Sequence, residues 1–281
     1  MVILLADSNS LRHPGLDQFL GATRNHAIGL SDWTLIEMQK KNAENTSRDS
    51  LKVVFRYPTQ CFALKRTDRL LEDTVHAHED IANLIDYKFT AELRELAADL
   101  WRVPVPPTVP TYMQQAQTAA SIIMSNLRAE IAGWEQEMVN AMSVFSSKEI
   151  GELRRGKDVS ANTLHKALDL LLTTTRDFMV RNQGRSPGER ITVKDAMSMF
   201  GFRYSLCVML YTLSWIRDGS HTGKEVEKRV NDAIDMQLAA AGTFFNGILS
   251  ADKQVKAVSL GARRLLRLWG GYLGEDWLPR T

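Results

Sequence analysis

Val230-Asn-Asp-Ala-Ile-Asp-Met-Gln-Leu-Ala-Ala-Ala-Gly-Thr-Phe-Phe-Asn-Gly-Ile-Leu-Ser-Ala-Asp-Lys253 is the stretch whose reading decides the fold. Asp232 and Asp235 stand one helical turn apart at the start of an apolar, Ala-rich helix that the pattern places over Lys224 to Phe245. Gly247-Ile-Leu-Ser250 then reads as a short apolar strand, with Asp252 just past its end. A helix start and a strand end that both present carboxylates build an acidic cluster at a sheet edge. Such a cluster repels itself unless cations hold it together, which points to a divalent metal.

The N-terminus offers a matching strand. Val2-Ile-Leu-Leu-Ala6 is short and continuously apolar, the pattern of a buried parallel strand. Asp7-Ser-Asn9 follows at its carboxyl end, the side on which open α/β sheets bind ligands. Ala27-Ile-Gly-Leu30 reads as a second strand or an extended lead-in. Ser31 caps a helix from Asp32 to Lys40 that carries Glu37, with Asp32 in its first turn.

From residue 66 to about 247 strand signals are absent. Helical spacing runs over Leu70–Leu100, Gln114–Phe145, Thr163–Val180 and Val193–Ile216, the last interrupted near Gly201. Pro104-Val-Pro-Pro-Thr-Val-Pro110 is expected to be a rigid extended linker, and 182–188 a loop. Val255–Leu268 reads as a basic amphipathic helix. The expected architecture is α/β: residues 1–65 plus 200–281 form one domain, split by a mainly α-helical insertion, 66–199.

Composition sets the frame. The chain has 281 residues, 44% hydrophobic and 24% charged, the balance of an ordinary globular protein. Met1-Val-Ile-Leu-Leu-Ala6 is too short for a signal peptide and lacks a basic flank, and no apolar run is long enough to span a bilayer. A cytoplasmic protein with no membrane partner is expected. Cys61 and Cys207 match neither a zinc spacing nor a disulfide framework and read as buried thiols. Residues 66–147 carry 6 Lys/Arg against 12 Asp/Glu, 148–203 carry 11 against 7, and 256–281 carry 5 against 2. Basic segments flanking an acidic metal site suit a polyanionic substrate, although solvated helix faces of varied sign explain the charge equally well.

Four acidic blocks now stand in order: Ile3-Leu-Leu-Ala-Asp-Ser-Asn9, Leu30-Ser-Asp-Trp-Thr-Leu-Ile-Glu37, Asn231-Asp-Ala-Ile-Asp-Met-Gln-Leu-Ala-Ala-Ala241 and Ile248-Leu-Ser-Ala-Asp252. In that order the chain resembles the PIN-domain nuclease family over about half its length. The family pattern is an apolar strand ending in Asp and a Ser/Thr-led helix bearing a Glu. An Asp opening an Ala-rich helix, an apolar strand and Thr/Ser-x-Asp follow. Three departures stand out. The gap after Glu37 is far longer than in small members, Ser250 holds the place of the familiar Thr, and Asp232 and Asp235 compete for the third position. Asp235 lies 17 residues before Asp252 and directly precedes the Ala-rich run.

The resemblance implies a PIN-like three-layer core with a short parallel sheet. It also implies metal-dependent cleavage of phosphodiester bonds, usually in RNA, by a divalent-metal-dependent endonuclease. Mg²⁺ or Mn²⁺ would be the cofactor, since hard carboxylate oxygens suit both. Asp7, Glu37, Asp235 and Asp252 become the catalytic set. Asp7 and Asp235 become the principal metal ligands, Asp252 or Asp232 completes the shell, and Glu37 binds the metal or positions its water. Asn9 or Ser250 would hydrogen-bond a ligand carboxylate or a phosphate, and Arg263 and Arg264 would meet nucleic acid. Two alternatives remain open: a non-catalytic PIN-like scaffold or adaptor, and a structure-specific DNA nuclease with the same carboxylate chemistry. Singly, each acid has a structural role to fall back on: a turn after a strand, a helix-start charge, a solvated helix face.

Other features carry less. His76-Ala-His78 imitates a metal pair, but residues two apart on a helix do not face each other. Arg154, Arg155, Lys157, Arg181, Arg185, Arg190 and Arg267 are further candidates for phosphate contact. Tyr204, Trp215 and Trp269 could stack bases but lie in apolar runs, where core packing is the expected role. Ile122, Ile123, Leu127, Ile131, Trp134, Met138 and Val139 form a stripe on the Gln114–Phe145 helix that must bury against something. It points to self-association or a regulatory partner. By analogy alone, a nuclease with such an appendage resembles the restrained effectors of toxin–antitoxin and phage-defence systems.

Overall fold

Four short apolar runs pair side by side at the centre of the molecule, in a computed structural model that describes residues 1–72, 81–156, 158–184 and 192–276. They are β1 (Val2–Ala6), β2 (His26–Leu30), β3 (Cys61–Ala63) and β4 (Ile248–Leu249), all parallel, in the order β3-β2-β1-β4. The helices between β1 and β3 are α1 (Pro14–Ala22), α2 (Asp32–Gln39), α3 (Ala43–Ser50) and α4 (Lys52–Arg56). The long middle holds α5 (Thr67–Glu72), α6 (Tyr87–Trp101), α7 (Thr108–Glu130), α8 (Trp134–Ser143), α9 (Ser147–Arg155), α10 (Ala161–Gln183), α11 (Val193–Ser198) and α12 (Phe200–Arg217). Then come α13 (Val226–Gly242) and, after β4, α14 (Lys253–Leu268). The chain is therefore a helix-rich α/β protein built on a small parallel sheet.

Alternation along β1 divides the core. Ile3 and Leu5 point into one apolar cluster, which holds most of α12, α13 and α14; Leu4 and Ala6 point into the other, with α1, α4 and α6. Period-two side chains on a sheet covered by helices on both faces require this split. The β1–β4 pairing brings the two ends of the chain together: Leu5 N–H donates to Gly247 O at 3.0 Å and Asp7 N–H to Leu249 O at 2.9 Å. Asn246 adds a side-chain rung, its Oδ1 accepting from Ile3 N–H at 2.9 Å. Gly247, just before β4, has φ 143°, a conformation that disfavours any other residue.

Several expectations change. The stretch 66–199 does not keep to itself: Leu93, Ala97 and Leu100 of α6 and Val109 and Met113 of α7 share one core with Leu4, Ile28 and Leu30. The long Gln114–Phe145 helix is two helices, broken by a tight turn over Ile131–Gly133. Pro104–Pro110 is not a linker throughout, because α7 begins at Thr108. Pro110 sits in its first turn, where a missing N–H costs nothing. Asp232 and Asp235 are not at a helix start, since α13 begins at Val226, so the helix dipole does little for them. Leu127, Ile131 and Met138 of the apolar stripe are buried within the chain, while Ile122 stays 57% exposed. Both cysteines are free and buried. Among the described residues no helix is long and apolar enough to cross a membrane. His76, His78, Lys157, Arg185 and Arg190 lie outside the described residues.

Candidate functional site

Parallel strands place all their carboxyl ends on one edge, so Asp7 after β1, Ser31 leading into α2, and Ser250 after β4 share that edge. α13 runs back across the sheet to feed β4, which brings its first half over the same edge. Asp7 is buried and held from two sides. Ser250 Oγ donates to its Oδ2 at 2.9 Å and the Asn9 N–H to its Oδ1 at 3.3 Å, with Ser8 Oγ 3.2 Å from that same Oδ1. Ser8 Oγ also lies 2.7 Å from Glu37 Oε2, so one hydroxyl sits between two carboxylates. Lys40, one turn after Glu37, reaches its other oxygen at 3.6 Å. α2 is fixed in place by the Ser31 cap and by Thr34, whose hydroxyl donates to Ala6 O at 2.9 Å, beside Asp7.

Asp235 is the electrostatic centre. Its carboxyl is pushed up to about 7, by burial first and then by the charges of Asp252, Asp7, Glu37 and Asp232. Acids from four separate segments therefore lie within mutual electrostatic reach. Asp252 is exposed and caps α14, its Oδ1 accepting from the Gln254 N–H at 2.6 Å and the Val255 N–H at 3.1 Å. Its own N–H donates to Ser250 Oγ, which ties it to Asp7 through one hydroxyl. Asp232 is buried and compensated: Tyr211 OH donates to its Oδ2 at 2.8 Å, and Lys224 Nζ bonds the same oxygen. That occupied oxygen and cation distinguish it from Asp235.

Not every expected contact residue faces outward. Asn9 and Arg264 are exposed, but Arg263 is only 2% exposed. Its guanidinium donates to Phe245 O and Gly274 O at 2.6 Å and pairs with Asp276 at 2.6 Å. It serves as an internal brace with no face left for a phosphate. Beside it, Arg203 is fully buried and donates to Met197 O, Thr243 O and Tyr272 O at 2.8–2.9 Å, over the ring of Phe244. Burial and the Arg263 charge hold Arg203 down at about 9. Both guanidiniums cluster at the end of α13, where free carbonyls and the negative dipole end favour cations. Tyr204 and Trp269 pack against Phe178 and Phe202, and Trp215 Nε1 donates to His221 O. Ser8, Lys40, Tyr211 and Lys224 were not singled out in the sequence, although Ser8 adjoins Asp7 and Lys40 lies one turn beyond Glu37.

The donor set is one of hard oxygens, the kind that Mg²⁺ and Mn²⁺ prefer. Among the described residues no group of three or more His, Cys, Asp or Glu side chains could hold a metal ion as placed. The fit to such an ion rests on donor chemistry and on the unbalanced charge around Asp235, not on a preformed cage. No family model, curated protein or solved structure matches the chain.

Proposed function

We propose that the chain is a divalent-metal-dependent endonuclease of PIN-like architecture, cleaving RNA. The observation that carries this reading is the meeting of acids from four distant segments (Asp7, Glu37, Asp235 and Asp252) at the carboxyl edge of a parallel sheet, with Asp235 repelled by the rest. Asp7, Asp235 and Asp252 would hold Mg²⁺ or Mn²⁺, which when bound supplies charge neutralisation and an acidified water for hydrolysis. Ser250 and the Asn9 N–H fix the Asp7 carboxylate, and the Ser8 hydroxyl orients Glu37. Glu37 is the residue best placed to accept a proton or hold a water beside Asp7. Asp232, already paired with Lys224 and Tyr211, supports the site by its charge and is the weakest ligand candidate. Exposed Arg264 and Asn9 stay candidates for phosphate contact.

The test is a pair of substitutions, Asp7→Asn and Asp235→Asn. Each should abolish Mn²⁺-dependent cleavage of single-stranded RNA while near-UV circular dichroism stays native. Cleavage of flapped DNA with RNA spared would instead favour a structure-specific DNA nuclease. Full cleavage by the double variant would overturn the assignment of these acids and leave the scaffold reading.

A further inference from the structure

Away from the acidic edge, α7, α8, α10, α12 and α13 line a cleft of about 860 Å³ that is open to solvent on one side. That volume lies within the range of small-molecule sites. Its walls are of two kinds. Leu127, Ile131 and Met138 supply a buried apolar surface; Trp134, Phe178 and Tyr204 supply aromatic rings. Phe178 meets Tyr204 edge to face at 5.2 Å, and Trp134 stacks on Tyr211 at 5.4 Å. The lining also holds three carboxylates, Glu130, Glu137 and Asp177, against one guanidinium, Arg181. Arg181 lies one helical turn beyond Asp177, at a spacing where opposite charges offset each other. Glu130 and Glu137 are exposed, and no ion pair to either forms among the described residues. Burial pushes the Tyr204 hydroxyl up to about 12, and the charges of Glu130 and Glu137 add to it, so both acids act on the phenol.

A cleft of mixed polar and apolar lining, with aromatic walls and an excess of carboxylates, fits one ligand chemistry: ammonium groups joined by methylene chains. Methylenes bury against the leucine, isoleucine and methionine side chains, while ammoniums gain from ring faces and from nearby carboxylates. A neutral lipid chain would leave the acids unused, and an anion would meet repulsion. We propose that this cleft binds a linear aliphatic polyamine, with its ammoniums near Glu130, Glu137 and the Trp134 ring. The proposal does not depend on the nuclease reading.

Titration calorimetry of the full chain with spermine at low ionic strength tests it. Saturable binding is expected, weakened at least about tenfold by Glu130→Gln combined with Glu137→Gln, and about fivefold by Trp134→Leu. The paired glutamine changes fall on exposed side chains and leave the fold intact. Asp7→Asn with Asp235→Asn should leave the affinity unchanged. Affinity lost in that second pair but kept in the glutamine pair would mean that the amine sits on the acidic edge, and would overturn the proposal. Absence of binding would overturn it too, as would equal binding of an uncharged diol of matching length.

Discussion

Asp235 is a carboxyl group that folding places where it resists ionisation. Its folded value of about 7 lies above the ordinary 3.8, so protons bind the folded chain more tightly than the unfolded one. The sign follows: below about pH 4 both states are protonated; between there and pH 7 the unfolded chain ionises while the folded one keeps its proton, so stability falls, and it levels off once the folded carboxyl ionises too. Wild type should therefore lose on the order of 2 kcal/mol between pH 4 and 8, about half of what the full displacement corresponds to, because partial exposure screens the repulsion. Asp235→Asn should flatten that slope in urea titrations at several pH values; an unchanged slope would mean that burial and neighbouring acids do not burden Asp235. Mn²⁺ should restore the wild type at pH 8, by about 1.4 kcal/mol at ten times its dissociation constant, and do nothing for the Asn variant. Ser250→Ala removes the donor to buried Asp7 and should cost about 2 kcal/mol, read from the same titrations. The acids were legible in the sequence because strand ends and helix carboxylates are local patterns. Ser8 was not, because its bond to Glu37 spans 29 residues and exists only after folding.

Among the elements, the end of α13 is the most heavily braced. Arg203 and Arg263 satisfy carbonyls at Gly242, Thr243 and Phe245 and pull in the segment at Tyr272–Asp276. Arg203→Met would remove the guanidinium donor from Met197 O and Tyr272 O and one of two from Thr243 O, which Arg263 also reaches, and should cost about 3 kcal/mol in chemical denaturation. Arg203→Lys should rescue little, because an ammonium cannot reproduce the planar fork. Restoration by Lys to within 1 kcal/mol, by the same measurement, would show that charge rather than geometry matters. Reading Arg263 from sequence fails for a clear reason: an arginine on a basic amphipathic helix looks like surface charge until the carbonyls that claim it are known. β1, β2 and β4 were visible as apolar runs with polar or glycine boundaries. β3 was not, because three residues after Pro58 carry too little periodicity. α3 and α4 follow one another with no apolar stripe long enough to announce a helix.

Taken whole, the molecule has a core shared between the strands and helices of the 66–199 stretch. α6 closes the outer face of the sheet: Thr90 Oγ1 accepts from the Ala63 N–H at 2.9 Å, and Leu93, Ala97 and Leu100 complete the core around β1 and β2. Joining residue 65 to residue 200 through a short linker should therefore give a chain without a cooperative thermal transition. A sharp transition with dispersed amide signals would show that the sheet needs none of the middle. Sequence patterns carried the α/β class, but not the packing of α6 and α7 onto the sheet, because helical periodicity does not say which core a helix joins.

The pairing of β1 with β4 joins Ile3 to Asn246 across 243 residues. Such a contact imposes an order in time. A ribosome adding about 5–20 residues per second releases Asp7 and Glu37 roughly 10–45 s before Asp252 is made. During that interval β1 lacks one neighbour and Asp7 lacks Ser250, so the four acids cannot meet on the growing polypeptide. Whatever chemistry they perform is withheld until synthesis has passed β4, a delay written into strand order alone.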